Sequence, residues 1–75
     1  MLSLELLTPR RRAAWLQEAE EALLELLTTI NDAAGTANHS SIFVQLANDN
    51  ARRETEARLA WIDAARRRLK QADLI

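Results

Sequence analysis

The sequence predicts an all-α fold, an antiparallel helical hairpin made of two long helices and a short N-terminal arm. One glycine and one proline among abundant alanine, leucine, arginine and glutamate is a helix-forming composition. Apolar residues recur at helical spacing on both sides of one short polar segment, residues 35–41. At 75 residues the chain holds at most one small domain, so we treat residues 1–75 as a single unit.

The arm, residues 1–8, is predicted to precede the first helix rather than to belong to it. Pro9 disfavours a helical conformation at Thr8, so an arm or a turn is expected here. We expect its leucines to pack on the end of the helical layer, and an exposed arm is the alternative. These leucines are Leu2, Leu4, Leu6 and Leu7.

The first helix is predicted over residues 9–34, with sequence signals at both its start and its stop. Thr8 is a suitable N-cap, and Pro9 fits the first helical position because the missing N–H is not needed there. Gly35 suits the left-handed residue that often follows a last turn. The apolar positions within this range are Trp15, Leu16, Ala19, Ala22, Leu23, Leu26, Leu27, Ile30, Ala33 and Ala34.

This apolar arc is wider than a two-helix seam requires, because a seam uses a narrower stripe. A chain this short has little core of its own and no disulfide to stabilise it. We therefore expect the hairpin to complete a four-helix bundle, by homodimerisation or by packing on a partner's helix. The residues predicted for that interface are Trp15, Ala22, Leu24, Leu26, Phe43 and Trp61.

The loop over residues 35–41 is short enough to make the flanking helices antiparallel neighbours. Either Ser40 or Ser41 is expected to cap the second helix, which is predicted over about residues 42–72. His39 is interpreted as a solvated turn residue rather than a ligand or a base. The predicted inner face of the second helix consists of Phe43, Val44, Ala47, Ala51, Trp61, Ile62, Ala65 and Leu69.

Polar residues interrupt the stripe of the second helix near its middle. Glu54 and Arg58 are four residues apart, in the favourable order for a helical ion pair. One interpretation is that both side chains extend from the edge of the seam into water. The other is that they form a buried polar pair that fixes the register or the choice of partner.

Antiparallel packing also gathers basic residues at the open end of the hairpin. Three arginines begin the first helix, where they oppose the helix dipole, and four basic residues end the second, where they favour it. We expect Glu5, Asp73 and the terminal carboxylate to neutralise this pole, and an external phosphate or an acidic protein surface is the alternative. The seven residues are Arg10, Arg11, Arg12, Arg66, Arg67, Arg68 and Lys70.

Catalytic chemistry is not indicated, because the chain has one histidine, no cysteine and no tyrosine. A phosphate-binding loop needs several glycines, and a ferritin-like metal site needs Glu-x-x-His, a spacing that the sequence lacks. We therefore expect no enzyme activity, no cofactor, no metal and no small-molecule substrate.

The opening segment lacks the basic region of a signal peptide and no apolar run is long enough to span a bilayer, so a cytoplasmic location is expected.

The leading functional hypothesis is a non-enzymatic protein–protein interaction module, such as a small adaptor, chaperone or assembly subunit. The first alternative is a nucleic-acid-binding regulator that uses the basic pole. Its support is limited, because the formal net charge is −1 and no aromatic residues alternate with the basic ones. The second alternative is a structural subunit of a phage or secretion assembly, which requires the same kind of surface.

Overall fold

The structure is a computed structural model that describes residues 4–37 and 41–75, and it is a hairpin of two packed helices. A 3-10 turn, Leu4–Leu6, precedes α1 (Pro9–Ala37) and α2 (Ile42–Gln71). No strand occurs in these two stretches. The molecule is elongated and flat, 49 × 21 × 15 Å. The all-α hairpin predicted from the sequence is confirmed.

Helix α1 begins where the sequence predicts and ends later. The Arg11 backbone N–H donates to Thr8 Oγ1 at 3.3 Å and that of Arg12 to the Thr8 carbonyl at 2.9 Å, as an N-cap requires. The expected stop at residue 34 is wrong, because α1 continues through Gly35 to Ala37 and Gly35 has no positive φ. Glycine permits the left-handed conformation without imposing it, and no proline follows to end the helix.

Helix α2 begins at a serine cap. Ser41 has extended backbone angles, and its Oγ accepts a hydrogen bond from the Val44 N–H at 3.3 Å. Of the two serines predicted as caps, Ser41 is the one observed, and Ser40 lies outside the described residues. The interpretation of His39 as a turn residue also falls outside them.

A tight turn closes the far end of α2. Asp73 has a φ of 59°, and its N–H donates to the Lys70 carbonyl at 3.1 Å. The Leu74 N–H reaches back to the Leu69 carbonyl at 2.8 Å. These two bonds are those of a Schellman motif, with aspartate at the left-handed position that glycine usually occupies. The motif turns the chain back over the end of the hairpin.

The seam between the helices follows a seven-residue repeat on both sides. Leu16 is fully buried, Ile30 and Ile62 are buried, and all three are apolar. On α2 the fourth buried residue is Thr55, whose hydroxyl donates to the Ala51 carbonyl at 2.8 Å. The α2 residues that point into the seam are Gln45, Asn48, Arg52, Thr55, Leu59, Ile62, Arg66 and Leu69.

The predicted inner face is wrong for the first half of α2. Phe43 is 78% exposed and Val44 is 49% exposed, and Trp61 in the second half is 54% exposed. The apolar residues of the second half, led by Ile62, set the rotation of the helix. Because α2 is one continuous helix, the same rotation places polar residues in the seam near its start. Its first apolar residues therefore face water.

Neither α1 nor α2, nor any other described helix, has an uncharged apolar stretch that would cross a bilayer.

Candidate protein-interaction face

The two broad sides of the hairpin differ sharply in chemistry. On each helix, one set of residues lies about a quarter turn to one side of the seam and a second set lies a quarter turn to the other. We call the first side the apolar face; its defining residues are Trp15, Ala22, Leu26, Ala33, Phe43, Ala47, Ala51, Trp61 and Ala65. We call the second side the polar face; its defining residues are Glu20, Asp49, Arg52, Arg53, Glu56, Asp63, Arg66 and Arg67, of which Arg52 and Arg66 extend to this face from positions in the seam.

A shallow groove of about 360 Å³ runs along the apolar face. Both tryptophans, Trp15 and Trp61, line it. Trp15 is partly buried and Trp61 is 54% exposed. The remaining lining residues are Ala19, Ala22, Leu23, Arg58 and Ile62. The groove therefore offers an apolar floor with one cation at its edge.

Five of the six residues predicted for the interface lie on the apolar face. Trp15, Ala22, Leu26 and Trp61 surround its centre, and Phe43 lies at its turn end. Leu24 is as exposed as Leu26, at 48% against 45%, but lies on the opposite side of α1. The structure therefore does not bring Leu24 together with the other five.

The polar face carries all five ion pairs found among the described residues. Four of them link residues within α2 (Arg52–Asp49, Arg52–Glu56, Arg53–Asp49 and Arg67–Asp63). The fifth joins Arg66 to Glu20 at 3.1 Å and is the pair that connects the two helices. The charges of this face are thus largely matched within the chain.

Asp49 is the centre of the densest part of this network. Its two carboxylate oxygens accept from Arg52 Nη2 at 2.6 Å and from Arg53 Nε at 2.8 Å. These bonds, that from Arg52 first, hold the pKa of the Asp49 carboxyl below its usual value. The same bond raises the pKa of Arg52, so both groups stay charged at neutral pH.

Glu54 and Arg58 do not form a buried pair within the hairpin. Both are exposed, and among the described residues no ion pair joins them. Glu54 Oε1 accepts instead from the Asn50 amide at 3.4 Å. The polar side chain that does enter the seam at this level is Thr55. Glu54 and Arg58 stand in the middle of the apolar face on α2.

The basic pole is used in part for internal structure. Arg12 bonds backbone carbonyl oxygens, with Nε to Leu4 at 2.7 Å, Nη2 to Glu5 at 3.3 Å and Nη1 to Leu74 at 2.9 Å. Arg66 and Arg67 belong to the ion pairs described above. Among the described residues, no ion pair joins Glu5, Asp73 or the terminal carboxylate of Ile75 to a basic residue, so these groups do not provide the predicted neutralisation. The other four are Arg10, Arg11, Arg68 and Lys70, all exposed.

A second apolar groove, which the sequence did not predict, lies at the open end beside the basic pole. Leu4 from the 3-10 turn and Leu74 from the C-terminal turn line it together with Trp61 and Leu69. Leu4 thus packs on the helical layer as predicted for the arm, whereas Leu6 is 86% exposed, and Leu2 lies outside the described residues. The C-terminal turn that brings Leu74 to this groove could have been predicted from Asp73, because aspartate tolerates the left-handed conformation that the turn requires.

The described part of the chain contains no group of three or more histidine, cysteine, aspartate or glutamate side chains arranged to hold a metal ion. No family model, curated protein or solved structure matches the chain.

Proposed function

We propose that this protein is a non-enzymatic protein–protein interaction module that associates through its apolar face, completing a four-helix bundle. The observation that carries the proposal is the separation of the two faces. The polar face matches its charges internally, whereas the apolar face leaves Trp61 and Leu26 about half exposed, beside a partly buried Trp15. An exposed apolar surface with aromatic residues at its centre is typical of an interface.

The size of the face is consistent with a stable association. The broad side of the molecule measures 49 × 21 Å, which offers more than the roughly 800 Å² per partner of a standard interface. Only three large apolar side chains, Leu16, Ile30 and Ile62, are buried within the described hairpin. Covering the apolar face adds to this small core, so association and folding stability are expected to be linked. An assembly subunit needs the same surface and is a form of the same proposal.

The nucleic-acid alternative has weaker support. Arg12 and Arg66 are already bonded to carbonyl oxygens and to Glu20, and Arg67 pairs with Asp63. The exposed cations that are left make a small patch on a chain of net charge −1. No observation on the described residues favours this function over association.

Two exposed leucines provide the test. Leu26→Lys places a charge in the apolar face, and Leu24→Lys, two residues away and equally exposed, places the same charge on the polar face. Sedimentation analysis at low micromolar concentration is expected to show association of the natural chain and of Leu24→Lys, and a marked loss for Leu26→Lys. A natural chain that is a stable monomer without a copurifying partner, or equal effects of the two variants, contradicts the proposal.

A further inference from the structure

We infer that the occupant of the apolar face is a second copy of this chain, seated antiparallel, with Glu54 of each copy paired with Arg58 of the other. The inference rests on the proposed function and names its partner and register. Two-fold symmetry requires that the face be complementary to itself, since each residue meets the position related to it by the axis. The charges and the sizes of the side chains on the apolar face both meet this condition.

The charge pattern fixes the position of the axis. Glu54 and Arg58 lie on either side of residue 56 in the middle of the face, and no ion pair within the described chain joins them. A two-fold axis perpendicular to the helices at the level of residue 56 exchanges positions 54 and 58. Glu54 of each copy then lies opposite Arg58 of the other, so two-fold symmetry gives two such ion pairs. A charge that is covered needs such a partner.

The same axis places the largest side chain of the face on α2, that of Trp61, opposite a small one. Exchange about residue 56 sets Trp61 opposite Ala51 and Phe43 opposite Leu69, while Ala47 faces Ala65. Ala51 provides room for the Trp61 ring, as interdigitated packing requires, and Phe43 and Leu69 meet as two apolar side chains. No two tryptophans are brought onto one another.

Helix α1 meets the condition independently. The level of residue 56 corresponds to residue 24 on α1, because the two lie equally far from the turn to within one residue. Exchange about residue 24 sets Trp15 opposite Ala33 and Leu26 opposite Ala22. Residues 24 and 56 also lie within one residue of the midpoints of α1 and α2, so the copies overlap along their full length.

The competing two-fold arrangement is less favourable. An axis parallel to the helices places α1 of one copy on α2 of the other at the same level. Trp15 then meets Trp61, and the residue directly opposite Arg58 is Ala22 rather than a carboxylate. A covered cation without a partner opposes association, so charge selects the perpendicular axis.

Charge reversal tests the register. Glu54→Arg alone sets two guanidinium groups against each other at both pairs, and Arg58→Glu alone sets two carboxylates together there. Each variant is therefore expected to weaken self-association at least about tenfold. An equimolar mixture restores both opposite-charge pairs and is expected to form a one-to-one heterodimer near the strength of the natural homodimer. A substitution affects its own helix equally whether the variant is measured alone or in the mixture. Restored association in the mixture therefore shows that the separate variants fold.

A matched variant and a distance measurement complete the test. Glu21→Arg, at an exposed position near Glu20 and Arg66, changes the net charge by the same amount as Glu54→Arg and is expected to leave association unchanged. Since the chain lacks cysteine, a spin label at Gln71→Cys reports one distance between copies. The perpendicular axis predicts roughly 45 Å, from the rise of 1.5 Å per residue, and the parallel axis predicts a much shorter distance.

The outcomes separate this inference from the proposed function. A natural chain that self-associates, with no restoration in the mixture or with a short label distance, overturns the register and leaves the association standing. A natural monomer that binds a different protein through Leu26 overturns the second copy as occupant. A natural monomer with no partner overturns both.

Discussion

Arg12 Nη1 donates a hydrogen bond to the carbonyl oxygen of Leu74 at 2.9 Å, which joins the start of the first helix to the end of the chain. The same guanidinium bonds the carbonyls of Leu4 and Glu5 in the N-terminal turn. One side chain therefore joins the N-terminal 3-10 turn to the C-terminal turn at the open end of the hairpin. Because charged donors form stronger hydrogen bonds than neutral ones, this contact is a main constraint on the end of the molecule.

Arg12→Gln is expected to lower the free energy of unfolding by about 1–2 kcal/mol, since three partly exposed, charge-assisted bonds are lost. Urea denaturation at fixed protein concentration measures the change. Arg11→Gln is the control, because this neighbour is exposed and its side chain forms no such clamp. Equal effects of the two variants would mean that Arg12 acts through the helix dipole alone.

Asp73 is the residue that turns Leu74 toward this clamp. Its φ of 59° is unfavourable for a residue with a Cβ, so Asp73→Gly is expected to raise stability by about 1 kcal/mol. Thermal unfolding measures the gain. Asp73→Asn also removes a negative charge from the C-terminal end of α2, but keeps the Cβ. If the asparagine variant gains as much as the glycine variant, charge rather than backbone strain is the cause.

Two leucines of α1 differ in burial, so their replacement by alanine is expected to change stability by very different amounts. Leu16 is fully buried, so Leu16→Ala is expected to cost about 2–5 kcal/mol, in the range for a large-to-small change in a core. Leu24 is 48% exposed on the polar face, and Leu24→Ala is expected to cost under about 0.5 kcal/mol. Urea denaturation of both at one concentration tests this. Similar losses would place Leu24 in a contact that the hairpin does not contain.

The sequence was sufficient for the fold because its strongest local signals agree with one another. Thr8, Pro9 and Ser41 mark the helix starts, and the structure uses each of them as expected. The phase of α2 was harder to predict. Its first half offers Phe43 and Val44 as an apolar pair, but the buried residues of this continuous helix, Thr55 and Ile62, lie further along and on a different side.

The sequence predicts that α1 has more apolar residues than one seam can bury, but it does not predict on which side of the hairpin they lie. The width of the arc on α1 indicated that Trp15 and Leu26 exceed the needs of one seam. Which side of the hairpin carries them depends on how α2 is rotated, and this depends on packing rather than on local pattern. Leu24 lies outside the apolar arc on the helical wheel, which indicates a further neighbour for α1, but a wheel for one helix does not show on which side that neighbour lies.

Acidification tests the Asp49 network. Its carboxyl has a lowered pKa in the folded protein, so its stabilising contribution is complete at neutral pH and is lost as the pH falls below the usual aspartate value of about 4. The difference in melting temperature between the natural chain and Asp49→Asn is expected to be constant from about pH 7 to about 5 and to shrink below about 4. Curves that stay parallel down to about pH 2 would exclude the linkage.

Gly35 distinguishes a helix that passes through residue 35 from one that ends there. In the structure it has no positive φ, and a Cβ at this position would meet no atom within 4 Å. Gly35→Ala is therefore expected to stabilise the protein by about 0.5–1 kcal/mol, because alanine loses less backbone freedom in a helix. Asn31→Gly, in the same helix and also exposed, is expected to change stability by a similar amount in the opposite direction. If Gly35→Ala destabilises instead, the residue adopts the left-handed conformation, and α1 ends at residue 34.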